Sequence, residues 1–320
     1  MNRILNHKIT RIFTGVVIAL AVLLMIYPPD IKFFQQTAEF APQVMFGLLI
    51  LSLLFLALNQ TRLMFIGLVA AAFLAFYLKM ASNANYIYPS SSVLPKISVA
   101  NFNLSQLNRE TADINNLFRD LDVDLIAFQE YTPMWDKIIS QQLYRKFPYV
   151  HKMIKADPFG MAIYSKKPFK DRHTFYYDKI PNINLLIENE MEDINIICCY
   201  IPTVYPKTNM NNTEHLKILS EYISTLDKPV ITMGDFHMNY WLQKLVDFTN
   251  ESSLENSRRS STIMRRKIHD HIFYSDLLEC TQFEEIQDDA QNHIGIIGYY
   301  QLISNLSTQN KTSLGSLNNF

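Results

Sequence analysis

Three charge-free apolar runs open the chain, at residues 12–27 (IFTGVVIALAVLLMIY), 40–58 (FAPQVMFGLLILSLLFLAL) and 63–78 (LMFIGLVAAAFLAFYL). Each is close to the roughly 17 to 25 apolar residues that cross a hydrocarbon core, so three transmembrane helices are expected within residues 1–80. The first run follows a basic stretch, as the core of a signal peptide would. No small-residue cleavage site follows it and two more runs come next, which favours a retained helix. None of the runs holds an ionisable side chain, which excludes a proton relay, an ion pathway or a voltage sensor and leaves an anchor.

From Lys96 the pattern changes to short runs rich in β-branched and aromatic residues. KISVANFN, VDLIAFQE, MAIYSKK, INLLIENE, INIICCYIP, KPVITMGDF and HDHIFYS predict strands. Residues 108–121 and 213–226 carry apolar positions at helical spacing and predict helices between them. The inventory is mixed α/β with a large sheet core. A Pro/Ser linker is expected over 81–95, the soluble domain over 96–302, and a mobile polar tail over 303–320.

Charge adds an orientation. Arg3, Lys8 and Arg11 precede the first run and Arg62 stands in the turn between the second and third, whereas the loop between the first and second sets Lys32 against Asp30 and Glu39. The positive-inside rule then makes the N-terminus cytoplasmic, and three spans put the domain outside, as in a multi-pass protein of a bacterial inner membrane facing the periplasm. Lys79 pulls weakly the other way. Of 29 basic and 30 acidic residues, six and two lie in the first 80, which leaves 23 and 28 beyond them. A domain charge of about −5 is a poor footprint for gripping duplex DNA. The basic cluster Arg258, Arg259, Arg265, Arg266 and Lys267 is expected either as a solvated loop or as a contact for a phosphate-rich substrate or anionic headgroups. The three cysteines, two of them adjacent in an apolar run, read as small buried strand residues and not as a disulfide framework.

Polar residues recur where the expected strands end: Asn101 and Asn103, Gln129 and Glu130, Tyr200, Asp235 and His237, Asp270 and His271, Asn292 and His293. Burying such groups without partners costs on the order of several kcal/mol each, so the strand ends are expected to converge on a wet polar site.

In order along the chain, these segments resemble the motifs of the endonuclease/exonuclease/phosphatase superfamily over about residues 96–302. KISVANFN resembles the opening strand with its metal-site Asn, VDLIAFQE the strand ending in Gln-Glu, and FGMAIYSKKPF the strand with Ile-x-Ser before a Pro. YIP stands at the position of Tyr or His, GDFHMN resembles Gly-Asp-Phe-Asn, HDHIFYS the Asp-His-Ile strand, and QNH the usual Ser-Asp-His. The resemblance implies a four-layer sandwich, two mixed sheets packed face to face and flanked by helices, with the site at one end. It also implies a Mg²⁺-dependent (Mn²⁺ possible) phosphoester hydrolase acting on nucleic acid, a phospholipid headgroup or an inositol phosphate, with no obligate protein partner called for. By the same resemblance Glu130 is the leading metal ligand with Asn101 and Asn292 beside it, and Asn103 supports them. Asp235 is the general base, His293 faces the scissile phosphate with Asp270 fixing its tautomer, and Tyr200 donates to phosphate. Two departures stand out: His237 replaces an Asn, for which Asn239 substitutes only if the turn differs, and Asn292 replaces an Asp. They leave open a second reading, a catalytically impaired member kept as a binding or structural membrane protein.

Overall fold

In a computed structural model, residues 8–29, 31–81, 83, 87–89, 96–107, 117–118, 120–202, 211–259, 269–288 and 292–303 are described. The chain divides into two units. One comprises Met1–Ala84, Met238–Asp247 and Ser260–Lys267, the other Asn85–His237, Phe248–Arg259 and Ile268–Phe320.

The first unit is helical: α1 (Lys8–Ile26), α2 (Lys32–Ala38), α3 (Ala41–Ala57) and α4 (Thr61–Ala81). At 1.5 Å per residue α1 and α4 are about 28 and 31 Å long, near the thickness of a hydrocarbon core, whereas α3 with 17 residues reaches only about 26 Å. Two described helices, not the three expected, are therefore long and apolar enough to cross a bilayer, and the run at 40–58 is the short one. The expected loop 28–39 is partly helical because Phe33, Phe34 and their neighbours fold into α2. Asn59, at φ 55°, turns the chain tightly between α3 and α4. The two helices approach closely where Gly67 faces Ser52: a Cβ on Gly67 would stand 2.3 Å from the Ser52 hydroxyl. That hydroxyl is turned back to the Leu48 carbonyl at 2.7 Å. Much of the remaining apolar surface is exposed, including Phe13 (67% exposed), Leu53 (65%) and Val69 (67%).

The second unit contains two six-stranded mixed sheets. The first has the order β11-β12-β1-β2-β4-β3 and the second β5-β6-β7-β8-β10-β9. The strands are β1 (Lys96–Asn103), β2 (Leu125–Gln129), β3 (Tyr149–Met153), β4 (Met161–Ser165), β5 (Phe169–Tyr177) and β6 (Ile180–Ile187) in the first half. In the second half come β7 (Ile194–Tyr200), β8 (Val230–Asp235), β9 (Leu254–Asn256), β10 (Asp270–Ser275), β11 (Leu278–Gln287) and β12 (His293–Leu302). Both sheets have one plan: an antiparallel hairpin, then a parallel central pair (β1 with β2, β7 with β8), then two antiparallel strands.

Alternate residues of the central strands fill the space between the sheets: Ile97, Val99, Leu125 and Ala127 from one, Ile196, Cys198, Ile231, Met233 and Ile272 from the other. The outer face of the first sheet is covered by α5 (Pro133–Leu143) through Trp135, Ile139 and Leu143. Leu216, Leu219 and Ile223 of α6 (Asn212–Ile223) are buried in turn. The last described helix, α7 (Gln243–Glu251), follows β8. The expected helix at 108–121 falls almost wholly outside the described residues, where Leu117 and Phe118 are helical; the 303–320 tail beyond Ile303 and most of the 81–95 linker do too. All three cysteines are free and buried, as read from the sequence, and burial pushes the Cys198 thiol up to about 12.

Candidate active site

The rows of side chains that build the inter-sheet core change character at one end. Counting by twos along each strand, Ile97-Val99 leads to Asn101 and Asn103, Leu125-Ala127 to Gln129, Ile196-Cys198 to Tyr200, and Ile231-Met233 to Asp235. β1, β2, β7 and β8 run so that these are carboxyl ends. β10 and β12 run antiparallel to β8 and β1, so their first residues, Asp270 and His293, arrive at the same end. Asp270 pairs in register with Asp235, and Tyr200 does so from the other side. Strand direction thus brings Asn103, Tyr200, Asp235, Asp270 and His293 to one end of the sandwich.

Two polar bridges cross between the sheets here. In the first, the Asn103 amide donates to Asp235 Oδ2 at 2.7 Å and to Glu130 Oε1 at 3.0 Å. Its oxygen accepts the Ser105 backbone N–H at 3.0 Å and the Ser105 hydroxyl at 2.9 Å, which fixes the NH₂ side toward the carboxylates. In the second, His293 Nε2 donates to both oxygens of Asp270 at 2.8 Å. Burial works against ionising the Asp270 carboxyl. The hydrogen bond from His293 and the nearby charges of His293, Arg258 and His271 outweigh it and hold the group below the usual carboxylate range. Nδ1 of His293 is buried with no hydrogen-bond partner among the described residues.

Asp235 is 2% exposed and tightly oriented: beyond Asn103, its Oδ1 accepts the His237 backbone N–H at 2.9 Å. His237 Nδ1 lies 3.1 Å from both that oxygen and the Ile201 carbonyl. A carbonyl only accepts, so Nδ1 carries the proton and Nε2 is the nitrogen left for other work. His237 (φ 50°) and Glu130 (φ 56°) both adopt left-handed backbone at the ends of their strands, a strained conformation that sites retain when the surroundings hold it. The Tyr200 ring packs edge-on to His237 with centroids 5.1 Å apart, and His269 stands 5.9 Å from His237 on another side.

The expected metal ligands divide. Glu130 is half-buried at the mouth of the site, and only its Oε1 is hydrogen-bonded among the described residues. Asn101 lies one residue pair deeper, its oxygen taken by Gln129 Nε2 at 2.7 Å, so it faces the core and not Glu130; the residue beside the carboxylates is Asn103. Asn292 gives its backbone and side-chain N–H groups to Asp288 at 2.6 and 2.7 Å, and none of its hydrogen bonds reaches Glu130, Asp235 or Asp270. Asn239 is buried in Met238–Asp247, which belongs to the helical unit, and its backbone carbonyl accepts Leu242 N–H.

Of the basic cluster, the two described members are neither solvated nor open to an anion. Arg258 and Arg259 are buried, Arg258 paired with Glu285 and stacked on Phe283, Arg259 bonded to the Ile87 carbonyl and lying over the Tyr88 ring. Arg265, Arg266 and Lys267 lie outside the described residues. A shallow depression of about 790 Å³ sits at the other end of the strands, lined by Lys167, Lys170, Glu188, Asp193 and Lys228. Its lysines are already engaged, Lys170 with Asp193 at 2.9 Å, Lys228 with Glu192 at 3.2 Å and Lys167 with the Asn189 oxygen at 2.8 Å. No cluster of three His, Cys, Asp or Glu side chains with metal-site geometry occurs among the described residues.

Residues 83–293 match the family model described as Endonuclease/Exonuclease/phosphatase family. Among solved structures, the chain superposes on an endonuclease/exonuclease/phosphatase family protein from Bacteroides thetaiotaomicron at 14% identity and TM-score 0.51, covering 67% of this chain and 97% of that one. A counterpart from Bacteroides vulgatus gives 12% identity and TM-score 0.53 over 65% and 99%. The human Nocturnin catalytic domain gives 14% and 0.52 over 67% and 97%. At these identities the likeness shows the fold alone. A search of curated proteins finds no match.

Proposed function

Because the chain belongs to the endonuclease/exonuclease/phosphatase family, whose members hydrolyse phosphoesters, we propose that it is a membrane-anchored, divalent-metal-dependent phosphodiesterase using the Glu130, Asp235 and Asp270–His293 end of the sandwich. The observation that carries this reading is the Asn103 amide joining Glu130 to Asp235 while Asp270 holds His293 alongside.

In this account Asp235 takes the proton of the attacking water; Asn103 and the His237 backbone N–H aim its carboxylate. His293 meets a phosphoryl oxygen through Nδ1, its ring held by the Asp270 carboxylate on the far nitrogen. Tyr200 and Nε2 of His237 border the same space, His237 donating there only as imidazolium. The donor chemistry fits a hard cation such as Mg²⁺ or Mn²⁺ at Glu130, a half-exposed carboxylate whose second oxygen has no hydrogen bond among the described residues. When bound, the cation neutralises charge on the phosphoryl group. The Asn103 oxygen, which accepts from both the N–H and the hydroxyl of Ser105, is not offered to it.

The anchor is part of the proposal. α1 and α4 carry uncovered apolar surface at membrane-crossing length, and α3 falls at the lower end of the roughly 17–25 residue range. Were α3, at 17 residues, to cross with them, the basic N-terminus would place the sandwich on the extracytoplasmic side; two crossings would place it on the cytoplasmic side.

The test is hydrolysis of bis(p-nitrophenyl) phosphate by the full-length protein in detergent. Activity should vanish with EDTA, return with Mg²⁺ or Mn²⁺, and fall at least about 100-fold in Glu130→Gln. Hydrolysis unaffected by EDTA would contradict the metal reading, and none under any condition would favour a binding role.

A further inference from the structure

Glu130 stands one residue past β2 with its backbone in the left-handed region, at φ 56°. A residue bearing a Cβ keeps that conformation only where its surroundings hold it. The next residue, Tyr131, is held by backbone and side chain alike. Its N–H donates to the Gly160 carbonyl at 2.9 Å and its carbonyl accepts the Lys155 N–H at 3.3 Å, so the loop between β3 and β4 pins it at both ends. Gly160 is needed for this approach, since a Cβ there would lie 2.2 Å from the Tyr131 carbonyl oxygen. The Tyr131 ring is fully buried, its centroid 6.1 Å from that of Phe128 and 6.4 Å from that of Tyr164. Its hydroxyl ends in a network supplied by α5, β3 and β4. Asp136 Oδ1 accepts from Tyr131 at 2.9 Å, from Ser140 at 2.9 Å and from Lys152 at 2.7 Å, while the Tyr164 hydroxyl lies 2.6 Å from that of Tyr131. Burial and the hydrogen bond with Tyr164 push the pKa of the Tyr131 hydroxyl up, which keeps it a donor. None of these groups has a part in the reaction proposed above.

We propose that Tyr131 is a positioning residue, which through its hydroxyl network presets the Glu130 carboxylate for a divalent cation; this rests on the metal-dependent phosphoesterase reading above. The peptide between residues 130 and 131 joins a fixed ring to a strained residue, so the network sets where the Glu130 side chain starts. Glu130 Oε1 then meets the Asn103 amide at 3.0 Å, and its other oxygen has no hydrogen bond among the described residues. Groups that orient a metal ligand from behind change metal affinity by about 10- to 100-fold, because a ligand already in place has less freedom to lose on binding. A phenylalanine at 131 fills the same space between Phe128 and Tyr164 and loses only the ties to Asp136 and the Tyr164 hydroxyl. The Glu130 backbone is then free to relax toward the extended region, and its carboxylate moves with it.

The probe is Mn²⁺ alone, its free concentration read from the electron paramagnetic resonance signal, with the full-length protein in detergent first stripped of metal by a chelator. Glu130→Gln should abolish the site. Tyr131→Phe should raise its Kd about 10-fold, and the activity lost on bis(p-nitrophenyl) phosphate at low Mn²⁺ should return as Mn²⁺ is raised. Ile139→Ala, which opens a cavity in the same layer and removes no hydrogen bond from the network, should destabilise at least as much in denaturant yet keep Kd within about twofold. Unchanged Kd in folded Tyr131→Phe, or an equal rise in Ile139→Ala, would overturn the inference and leave the metal site standing. Should Tyr131→Phe fail to fold, Lys152→Met at its partly exposed position decides instead: a rise of about threefold supports the inference and an unchanged Kd overturns it. No Mn²⁺ bound by the unaltered protein, or binding indifferent to Glu130→Gln, would overturn this inference and the metal reading together.

Discussion

Asn101 and Asn103 show how two residues alike in sequence acquire different roles. Both point between the sheets, and alternation cannot choose between them. The choice is made by Gln129, which reaches back to Asn101, and by Ser105, whose N–H turns the Asn103 amide toward Glu130 and Asp235. Such reach depends on side-chain length across a parallel pair, which no motif spacing encodes. His237 is the opposite case: an unusual residue at its position, it keeps its backbone donation to Asp235 and adds an imidazole clamped on the Ile201 carbonyl. Removing the bridge in Asn103→Ala should lower kcat about 10- to 100-fold and, by leaving buried Asp235 with one partner fewer, cost roughly 1–3 kcal/mol in denaturant unfolding. Unchanged kcat and stability together would remove Asn103 from the site.

At the level of elements, the strands read from sequence are those packed on both faces, β1, β2, β4, β6, β7, β8 and β10, because continuous apolar runs mark burial. β3, β5 and β11 escaped that reading because little of them is buried: β5 reads FKDRHTFYY and β11 LECTQFEEIQ, with charged residues through both. β9 is three residues long, and β12 was legible only as the motif at its start. Close pairing of β7 and β8 requires Gly234, where an added Cβ would lie 2.0 Å from the Cys199 carbonyl oxygen. Gly234→Ala should therefore destabilise the sandwich by about 2–3 kcal/mol in chemical denaturation, and a change below about 0.5 would mean the strands can separate freely.

α6 adds a pH dependence. His215, stacked on Tyr177 at 4.7 Å and bonded to Asn182 Oδ1 at 3.1 Å, is pushed down to about 3 by burial. A histidine kept neutral in the fold but protonated when unfolded contributes stability above about pH 6.5 that is lost as the pH falls toward about 3. Between pH 7 and 5 the loss should be about 2 kcal/mol, and His215→Gln should flatten it. The Asp270 carboxylate, held low, adds its own loss only below about pH 4. An unchanged slope in the variant would place the acid sensitivity elsewhere.

For the whole molecule, hydrophobicity marked the helical segment, but length decided its content: two helices of crossing length and one of 17 residues, where the apolar runs had promised three equals. The return of Met238–Asp247 to the helices was not legible, because a lone NYW after a catalytic strand has no periodicity to betray a partner so distant in sequence. The proposed orientation can be checked with Lys137→Cys, on the exposed face of α5, since the three native cysteines are buried and should stay silent. A membrane-impermeant maleimide should label the variant in intact spheroplasts, and labelling only after lysis would place the domain in the cytoplasm.

The central claim is that Asp235, set by Asn103 and His237 at the end of β8, activates water against a phosphoester. It is tested most directly by kcat/KM of full-length Asp235→Asn against the unaltered protein on bis(p-nitrophenyl) phosphate with Mg²⁺, with far-UV circular dichroism confirming the fold. The account requires a loss of at least about 1,000-fold, near 4 kcal/mol of transition-state stabilisation. A variant retaining activity within tenfold would contradict it.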